Sequence, residues 1–214
     1  MKLNKIDKKI FYLISPNKIR DNNFYTDLTL ILESAKVSIF QLRLKKETYK
    51  NKLIIGKKIK KICNKFGVKF LINDDPLLAK KLNADGCHLG QKDINILEAK
   101  KILKNKIIGV TCHNSKELAE KAIENGADYV AFGAFYSTKT KKINHYANIE
   151  ILNWAQKNVK VPVVAIGGIT DKNYSNLIVN GANLIAMSSF IWKNKNKLKA
   201  VESFKKTRSY TWLL

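Results

Sequence analysis

Cysteine and arginine are both scarce in this 214-residue sequence, and long apolar runs are absent. The three cysteines, Cys63, Cys87 and Cys112, are odd in number and form no CxxC pair, which argues against a disulfide framework and a zinc cluster. No stretch reaches the ~18 apolar residues of a membrane helix. The apolar run from Ile10 to Ile14 is too short for the core of a secretory signal. We therefore expect a protein of the reducing cytoplasm with no membrane partner.

Arginine occurs three times, at Arg20, Arg43 and Arg208, although the formal net charge is +23. Nearly all cations are therefore lysines, and they are spread over the whole length. Nucleic-acid surfaces usually concentrate charge on one face and use arginine to read bases. We interpret the lysines as a solvated coat that also attracts small anionic substrates, and we expect no nucleic-acid partner. A non-enzymatic nucleic-acid binder is an alternative, which predicts an affinity that falls steeply with salt.

Short apolar runs alternate with segments of helical spacing eight times along the chain. The predicted strands are residues 9–15, 37–42, 68–72, 86–89, 106–111, 128–135, 161–166 and 184–187. Short and continuously apolar strands indicate a parallel sheet that is buried on both faces. We predict a single α/β domain over residues 1–214, a (β/α)8 TIM barrel with catalytic groups at the C-terminal strand ends. A doubly wound sheet is the alternative, but Ser15–Pro16–Asn17 is not its usual glycine-rich turn.

Two neighbouring predicted strands within Phe70–Asp93 are each followed by a carboxylate. Asp74 follows the third strand and Asp93 follows the fourth. Strand ends of a parallel sheet meet on one face, so these side chains can hold one divalent cation between them. Mg²⁺ typically takes one or two carboxylates and completes its shell with water and substrate phosphate. The alternative is a pair of helix N-caps, although one cap would suffice at Asp74–Asp75–Pro76.

Two sites for anions are predicted from the residues at the other strand ends. Arg43, Lys45 and Lys141 together with Mg²⁺ would suit a diphosphate, because arginine offers phosphate a bidentate fork. Gly167–Gly168 and Ser188–Ser189 match the phosphate site common after strands seven and eight of this fold. A structural ion pair for Arg43, a surface role for the lysines and plain turn glycines are the alternatives. An enzyme that joins a diphosphate ester to a phosphorylated acceptor needs both sites.

Further polar residues follow the strands. They are Gln41, Asn73, Thr111, His113, Thr138 and Thr140. His113 is either an acid–base group or a turn histidine bonded to backbone, and Cys112 is interpreted as a packing residue.

Several of these segments resemble motifs of the thiamine phosphate synthase family. The segments are QLRLK (41–45), IND (72–74), ADGCHLGQKD (84–93), IGVTCHN (108–114), STKTK (137–141), AIGGI (165–169) and MSSFI (187–191). They occur in order and cover nearly the whole predicted barrel. The resemblance implies a TIM-barrel transferase that joins hydroxymethylpyrimidine diphosphate to a thiazole phosphate and releases diphosphate, with Mg²⁺.

The resemblance also implies a role for each matching residue. Asp74 and Asp93 would hold Mg²⁺. The pyrimidine diphosphate would be bound by Gln41, Arg43, Lys45, Asn73 and Lys141, with Thr111 where the family usually has a serine that touches the pyrimidine. The thiazole phosphate would be bound by Thr138, Thr140, Gly168, Ser188 and Ser189. Catalysis would rest on Arg43, Lys45 and Lys141, which would hold the leaving diphosphate.

Besides Thr111, the sequence departs from the family at positions next to these residues. Leu44 stands where the family usually has glutamate, Asp75 where it has arginine and Ser137 where it has proline. A thiazole tautomerase of the same superfamily is the alternative enzyme. It would need the thiazole phosphate site and an acid–base group, for which His113 is the candidate. The apolar tail from Ser209 to Leu214 would cover either the barrel or a partner subunit of a homo-oligomer.

Overall fold

The structure is a computed structural model that describes residues 10–34, 36–138 and 145–204. Eight strands follow one another in the chain: Phe11–Ile14 (β1), Val37–Leu42 (β2), Lys69–Asn73 (β3), Gly86–Leu89 (β4), Ile107–His113 (β5), Tyr129–Phe132 (β6), Val163–Ile166 (β7) and Leu184–Met187 (β8). Each strand pairs in parallel with its sequence neighbours, and β8 pairs with β1. The sheet is therefore a closed barrel, and the predicted (β/α)8 fold is confirmed.

Helices connect the strands on the outside of this barrel. In the described part of the chain they are Asn23–Glu33 (α1), Tyr49–Lys65 (α2), Pro76–Lys81 (α3), Ile96–Leu103 (α4), Lys116–Glu124 (α5), Ile149–Asn158 (α6), Tyr174–Val179 (α7), Ser189–Trp192 (α8) and Lys197–Glu202 (α9). None of these helices is long and apolar enough to cross a membrane.

Two details of the structure differ from the sequence pattern. Asp171 is a residue type that often caps a helix, but α7 begins only at Tyr174, because the Asn173 side chain first closes a turn by accepting the Thr170 N–H at 2.8 Å. The short helix α8 was not predicted. It directly follows β8, where this fold often carries an extra helix that helps to form a phosphate site.

The alternation of side chains along the strands produces two apolar layers. One layer lies between the sheet and the helices and includes Cys87, Leu89, Val110 and Cys112. The other fills the barrel interior and includes Tyr12, Tyr129 and, from the other strands, Ile39, Leu71, Val164 and Leu184. Because successive strand residues face opposite sides, Gln41 and Asn73, two positions after the interior residues Ile39 and Leu71, line the cavity at the C-terminal mouth.

A repeated side-chain contact ties neighbouring strands together at the opposite end of the barrel. Asp85, Asp128 and Asn183 each precede an even-numbered strand. Their side chains accept the backbone N–H of Phe70, Ile108 and Val163 at 2.9, 2.9 and 2.7 Å. The same three residues donate their own N–H to the carbonyls of those partners. Each pair therefore has reciprocal bonds that set the register at the start of a strand pair.

We expect Asn183→Ala to destabilise the protein by about 1–3 kcal/mol, because the Val163 N–H loses its acceptor at a buried strand start. Asn183→Asp should retain most of the stability, since Asp85 and Asp128 make the same bond with a carboxylate. Urea unfolding at constant m-value measures the change. Asn158→Ala, at the exposed end of α6, is the control. Equal losses of unfolding free energy in Asn183→Ala and Asn158→Ala would contradict the stabilising role of the bond between Asn183 and the Val163 N–H.

Candidate active site

A cavity of about 510 Å³ opens at the C-terminal ends of the strands. Its size is typical of small-molecule sites. It is lined by every predicted site residue that the structure describes, namely Gln41, Arg43, Lys45, Asn73, Asp74, Asp93, Thr111, Thr138, Gly168, Ser188 and Ser189. Thr140 and Lys141 lie outside the described residues. The structure thus brings together side chains that are up to about 150 positions apart in the sequence.

Asp74 lies at a sharp turn where β3 ends. Its φ angle is +64°, its N–H donates to the His88 carbonyl at 2.8 Å, and the Asp75 N–H donates back to the Asn73 carbonyl at 2.9 Å. Non-glycine residues seldom adopt this left-handed conformation, although aspartate does so more readily than most. The turn directs the Asp74 carboxylate into the cavity.

Neither predicted metal ligand is a helix N-cap. The cap of α3 is Asp75, whose carboxylate accepts the Leu78 N–H at 2.8 Å. The cap of α4 is Asn95, whereas Asp93 accepts the Gly90 N–H at 2.7 Å and closes the loop after β4. The capping alternative for Asp74 and Asp93 is therefore wrong, and both carboxylates face the cavity.

The carboxylates of Asp74 and Asp93 are hydrogen-bonded to each other. Burial and the neighbouring Asp74 carboxylate raise the pKa of Asp93. Burial opposes ionisation of Asp74 as well, but its bonds to Asp93 and Lys45 outweigh that effect and lower its pKa. Two acids in contact repel each other when both are ionised, so the pair has the charge pattern that a bound cation would relieve.

Two cations lie beside this acidic pair. Lys45 Nζ is 3.0 Å from Asp74 Oδ2. The Arg43 guanidinium is positioned by Asn17, whose side-chain oxygen accepts from Nη1 at 2.9 Å, and the Arg43 backbone N–H donates to Ser15 Oγ at 2.9 Å. Among the described residues no carboxylate forms an ion pair with Arg43, so its remaining donors can serve an anion in the cavity.

The opposite wall of the cavity is built from the loops after β7 and β8. Gly168 has a φ angle of +64°, and a Cβ at this position would lie against the carbonyl oxygens of Tyr136 and Ser137. Asn173 anchors the loop by donating to the Gly168 carbonyl at 3.2 Å. Ser188 Oγ donates to the Ser15 carbonyl at 3.1 Å and begins the short helix α8. This wall therefore presents glycine backbone and serine hydroxyls at a helix start, a combination suited to phosphate.

Three cavity features were not predicted from the sequence. His88 lies on the cavity floor, with Nε2 2.8 Å from Thr111 Oγ1 and Nδ1 2.8 Å from the Tyr129 hydroxyl. The alternation of side chains along β4 could have predicted this, because it places His88 at an inward-facing position. The other two are Ser15, which is 2% exposed, and His145, whose ring lies 4.5 Å from that of His113.

Gln91 also differs from the expectation. Gln91 follows β4 close to Asp93 in the sequence, which would allow a place beside the predicted cation, but its side-chain amide donates to the Thr111 carbonyl at 2.5 Å. This bond fixes the backbone of Thr111 at the end of β5.

Comparison with known proteins identifies relatives over almost the whole chain. The family model for thiamine monophosphate synthase matches residues 11–191. A thiamine-phosphate synthase of Pelagibacter ubique is 66% identical over 97% of this chain and 100% of its own length. Another, from Erythrobacter litoralis, is 41% identical over 90% of this chain and 92% of its own.

Solved structures show the same similarity. The thiamine phosphate pyrophosphorylase of Pyrococcus furiosus superposes with a TM-score of 0.82 at 29% identity, over 92% of this chain and 94% of its own.

The surroundings of His88 predict a pH dependence of stability. Burial lowers the pKa of His88 to about 4, below the ordinary value of 6.5. Between these values the unfolded chain binds the proton more readily, so stability should fall as the pH decreases from 6.5 to 4. The contribution of His88 should reach at most about 3 kcal/mol. Urea unfolding of the metal-free protein at several pH values, compared with His88→Gln, measures it. Equal pH slopes in the two proteins would contradict this prediction.

Proposed function

The chain belongs to the thiamine monophosphate synthase family, and we propose how its cavity carries out the condensation that defines the family. The enzyme is a transferase that joins hydroxymethylpyrimidine diphosphate to a thiazole phosphate, forming thiamine phosphate and diphosphate. One wall of the cavity carries Arg43, Lys45, Asp74 and Asp93, and the opposite glycine–serine wall carries Gly168, Ser188 and Ser189. The convergence of these two walls in one cavity is the observation that supports the residue assignment. Each wall suits one of the two phosphorylated substrates.

The pyrimidine diphosphate lies against the wall formed by β2 to β5 in this proposal. Arg43 and Lys45 bind the diphosphate, and Lys141 joins them from the loop after β6. Gln41 and Asn73, whose side chains are 3.4 Å apart, and Thr111 contact the pyrimidine side of the substrate. The Arg43 fork is already oriented by Asn17, which reduces the entropy lost on binding.

Mg²⁺ fits the acidic end of this wall. Asp74 and Asp93 supply two carboxylates in mutual contact, the ligand type and number that Mg²⁺ takes when substrate phosphate completes its shell. The described residues hold no cluster of three or more acidic, histidine or cysteine ligands, so water and the substrate phosphate would complete the shell. When bound, the ion would neutralise charge on the diphosphate as it leaves.

The thiazole phosphate lies against the opposite wall. The Gly168 and Ser188 backbone and the Ser189 hydroxyl bind its phosphate, since the Ser188 hydroxyl hydrogen is already bonded to the Ser15 carbonyl, and Thr138 and Thr140 contribute hydroxyls from the loop after β6. The monophosphate carries less charge than the diphosphate, and no carboxylate is among the described residues of this wall. The separation of charge between the two walls directs each substrate to its own end of the cavity.

The reaction follows from this arrangement. The bond between the pyrimidine methylene carbon and the diphosphate oxygen breaks, and the electron-rich aminopyrimidine ring stabilises the positive charge that develops on the carbon. The thiazole nitrogen then forms the new bond with its lone pair, so no general base is required. Arg43, Lys45 and Lys141 stabilise the leaving diphosphate, while the two walls align the reacting atoms.

We further infer that the protein acts on small molecules as a single-domain cytoplasmic enzyme and not on nucleic acid. The described lysines are spread over both helices and loops, whereas the oriented Arg43 lines the cavity.

Incubation with both substrates and Mg²⁺ tests the proposal. We expect thiamine phosphate and diphosphate in equal amounts, detected by chromatography. Excess chelator should abolish the product and added Mg²⁺ should restore it, because the diphosphate loses its counter-charge. Turnover that is unaffected by chelator would contradict the metal assignment. Turnover of a thiazole phosphate without the pyrimidine diphosphate would favour the tautomerase alternative.

Asp93→Ala and Asp75→Ala form a matched pair for the metal site. We expect Asp93→Ala to lower turnover at least about 100-fold and to weaken Mn²⁺ binding, measured by electron paramagnetic resonance. Asp75→Ala removes the cap of α3 and should cost about 1 kcal/mol of stability while Mn²⁺ binding persists. Similar Mn²⁺ binding in the two variants would refute the role of Asp93.

A further inference from the structure

A chain of four hydrogen-bonding side chains runs from the barrel interior to the cavity floor. The hydroxyl oxygens of Tyr12 and Tyr129 are 2.8 Å apart, and Tyr129 lies 2.8 Å from His88 Nδ1. His88 Nε2 lies 2.8 Å from Thr111 Oγ1, and Thr111 lines the cavity. The reaction proposed above assigns no task to the two tyrosines or to His88.

Gly109 makes this chain possible. In the register of the sheet, Gly109 of β5 lies between His88 of β4 and Tyr129 of β6. A Cβ at Gly109 would overlap the Tyr129 ring, which instead passes over the glycine and stacks near the His88 imidazole, with ring centres 5.6 Å apart. A larger residue at this position would prevent the contact with His88.

The buried end of the chain fixes the direction of its hydrogens. Tyr12 is 2% exposed and Tyr129 is fully buried. Among the described residues, Tyr129 is the hydrogen-bond partner of the Tyr12 hydroxyl. Buried polar hydrogens in folded proteins are almost always bonded. Tyr12 therefore donates to Tyr129, and the Tyr129 hydrogen is left for His88.

The same reasoning selects one form of the His88 ring. If Tyr129 donates to Nδ1, then Nδ1 carries no hydrogen and the neutral ring is protonated on Nε2. Nε2 then donates to Thr111 Oγ1. The opposite tautomer, or a doubly protonated ring, would reverse the chain and leave the Tyr12 hydrogen without an acceptor in an apolar interior.

We propose that Tyr129 and His88 are positioning residues that fix the Thr111 hydroxyl as a hydrogen-bond donor to the substrate. Because Thr111 Oγ1 accepts from His88, its own hydrogen is directed away from His88, towards the cavity. An aminopyrimidine offers ring nitrogens that accept and an amino group that donates. A fixed donor selects a ring nitrogen and so sets the orientation of the ring. This inference rests on the proposed placement of the pyrimidine diphosphate beside Thr111.

The His88 tautomer can be observed without substrate. We expect the ¹⁵N spectrum of the full-length, ¹⁵N-histidine-labelled protein at pH 7.5 to show His88 protonated on Nε2 and unprotonated on Nδ1. The chain has three histidines, so loss of the signal in His88→Gln assigns it. A ring protonated on Nδ1, or on both nitrogens, would overturn the proposal. This result is independent of catalysis, so a failure of the synthase assay and a failure of this inference can be told apart.

Kinetics of two tyrosine variants test the consequence for the substrate. Tyr129→Phe removes the donor to His88 and should raise the KM for the pyrimidine diphosphate about five- to tenfold. The KM for the thiazole phosphate and kcat should change less than about threefold, since neither involves this hydroxyl. Tyr174→Phe, a buried tyrosine that packs against Phe204 outside the barrel, is the control. Equal effects of Tyr129→Phe on both KM values would refute the role.

A double-mutant cycle connects Tyr129 to Thr111. Thr111→Val should raise the same KM, and Thr111→Ser should leave it near the wild-type value because the hydroxyl is retained. Adding Tyr129→Phe to Thr111→Val should have little further effect, since the two act through one hydrogen bond. Effects that multiply independently would contradict the proposal. Thermal melting checks that each variant is folded. If Tyr129→Phe does not fold, the tautomer of His88 in the wild-type protein remains the test of the proposal.

Discussion

The pairing of β8 with β1 is the constraint on which the whole molecule depends. It closes eight parallel strands, so every strand ends at the same rim and no strand has an unpaired edge. A site assembled from separate short segments follows from this closure. The reciprocal bonds of Asp85, Asp128 and Asn183 at the other end hold strand pairs in register, and register decides which side chains reach the mouth.

The charged side chains of the cavity are concentrated on one wall, and neither helix capping nor apolar packing explains their position there. The Asp74 and Asp93 carboxylates would repel each other if both were ionised, and Lys45 and Arg43 offset part of that cost on one side. The left-handed turn at Asp74 adds backbone strain at the same point. In the function proposed above, a bound cation and a phosphorylated ligand would compensate these costs. The glycine–serine wall opposite has no comparable cluster in the described residues.

The fold and most of the described site were predictable because their signals are local. Short apolar runs that alternate with segments of helical spacing predicted the barrel, and the residues that follow each strand predicted the cavity lining. His88 was missed because a histidine in a short apolar strand looks like packing until its partners are known. Its contact with Tyr129 depends on a glycine in the intervening strand, which is a relation between three segments. The capping alternative for Asp74 and Asp93 was likewise open until Asp75 and Asn95 were seen in those roles.

The order of strands and helices, the parallel sheet and the polar residues at the strand ends were determined by the sequence alone, since each depends on residue type and spacing within one segment. Which carboxylates face the cavity, how Arg43 is oriented by Asn17, and the hydrogen-bonded path from Tyr12 to Thr111 were decided by the tertiary structure. These features depend on distances between residues far apart in the chain. Such distances are set by barrel closure and strand register, which no single segment encodes.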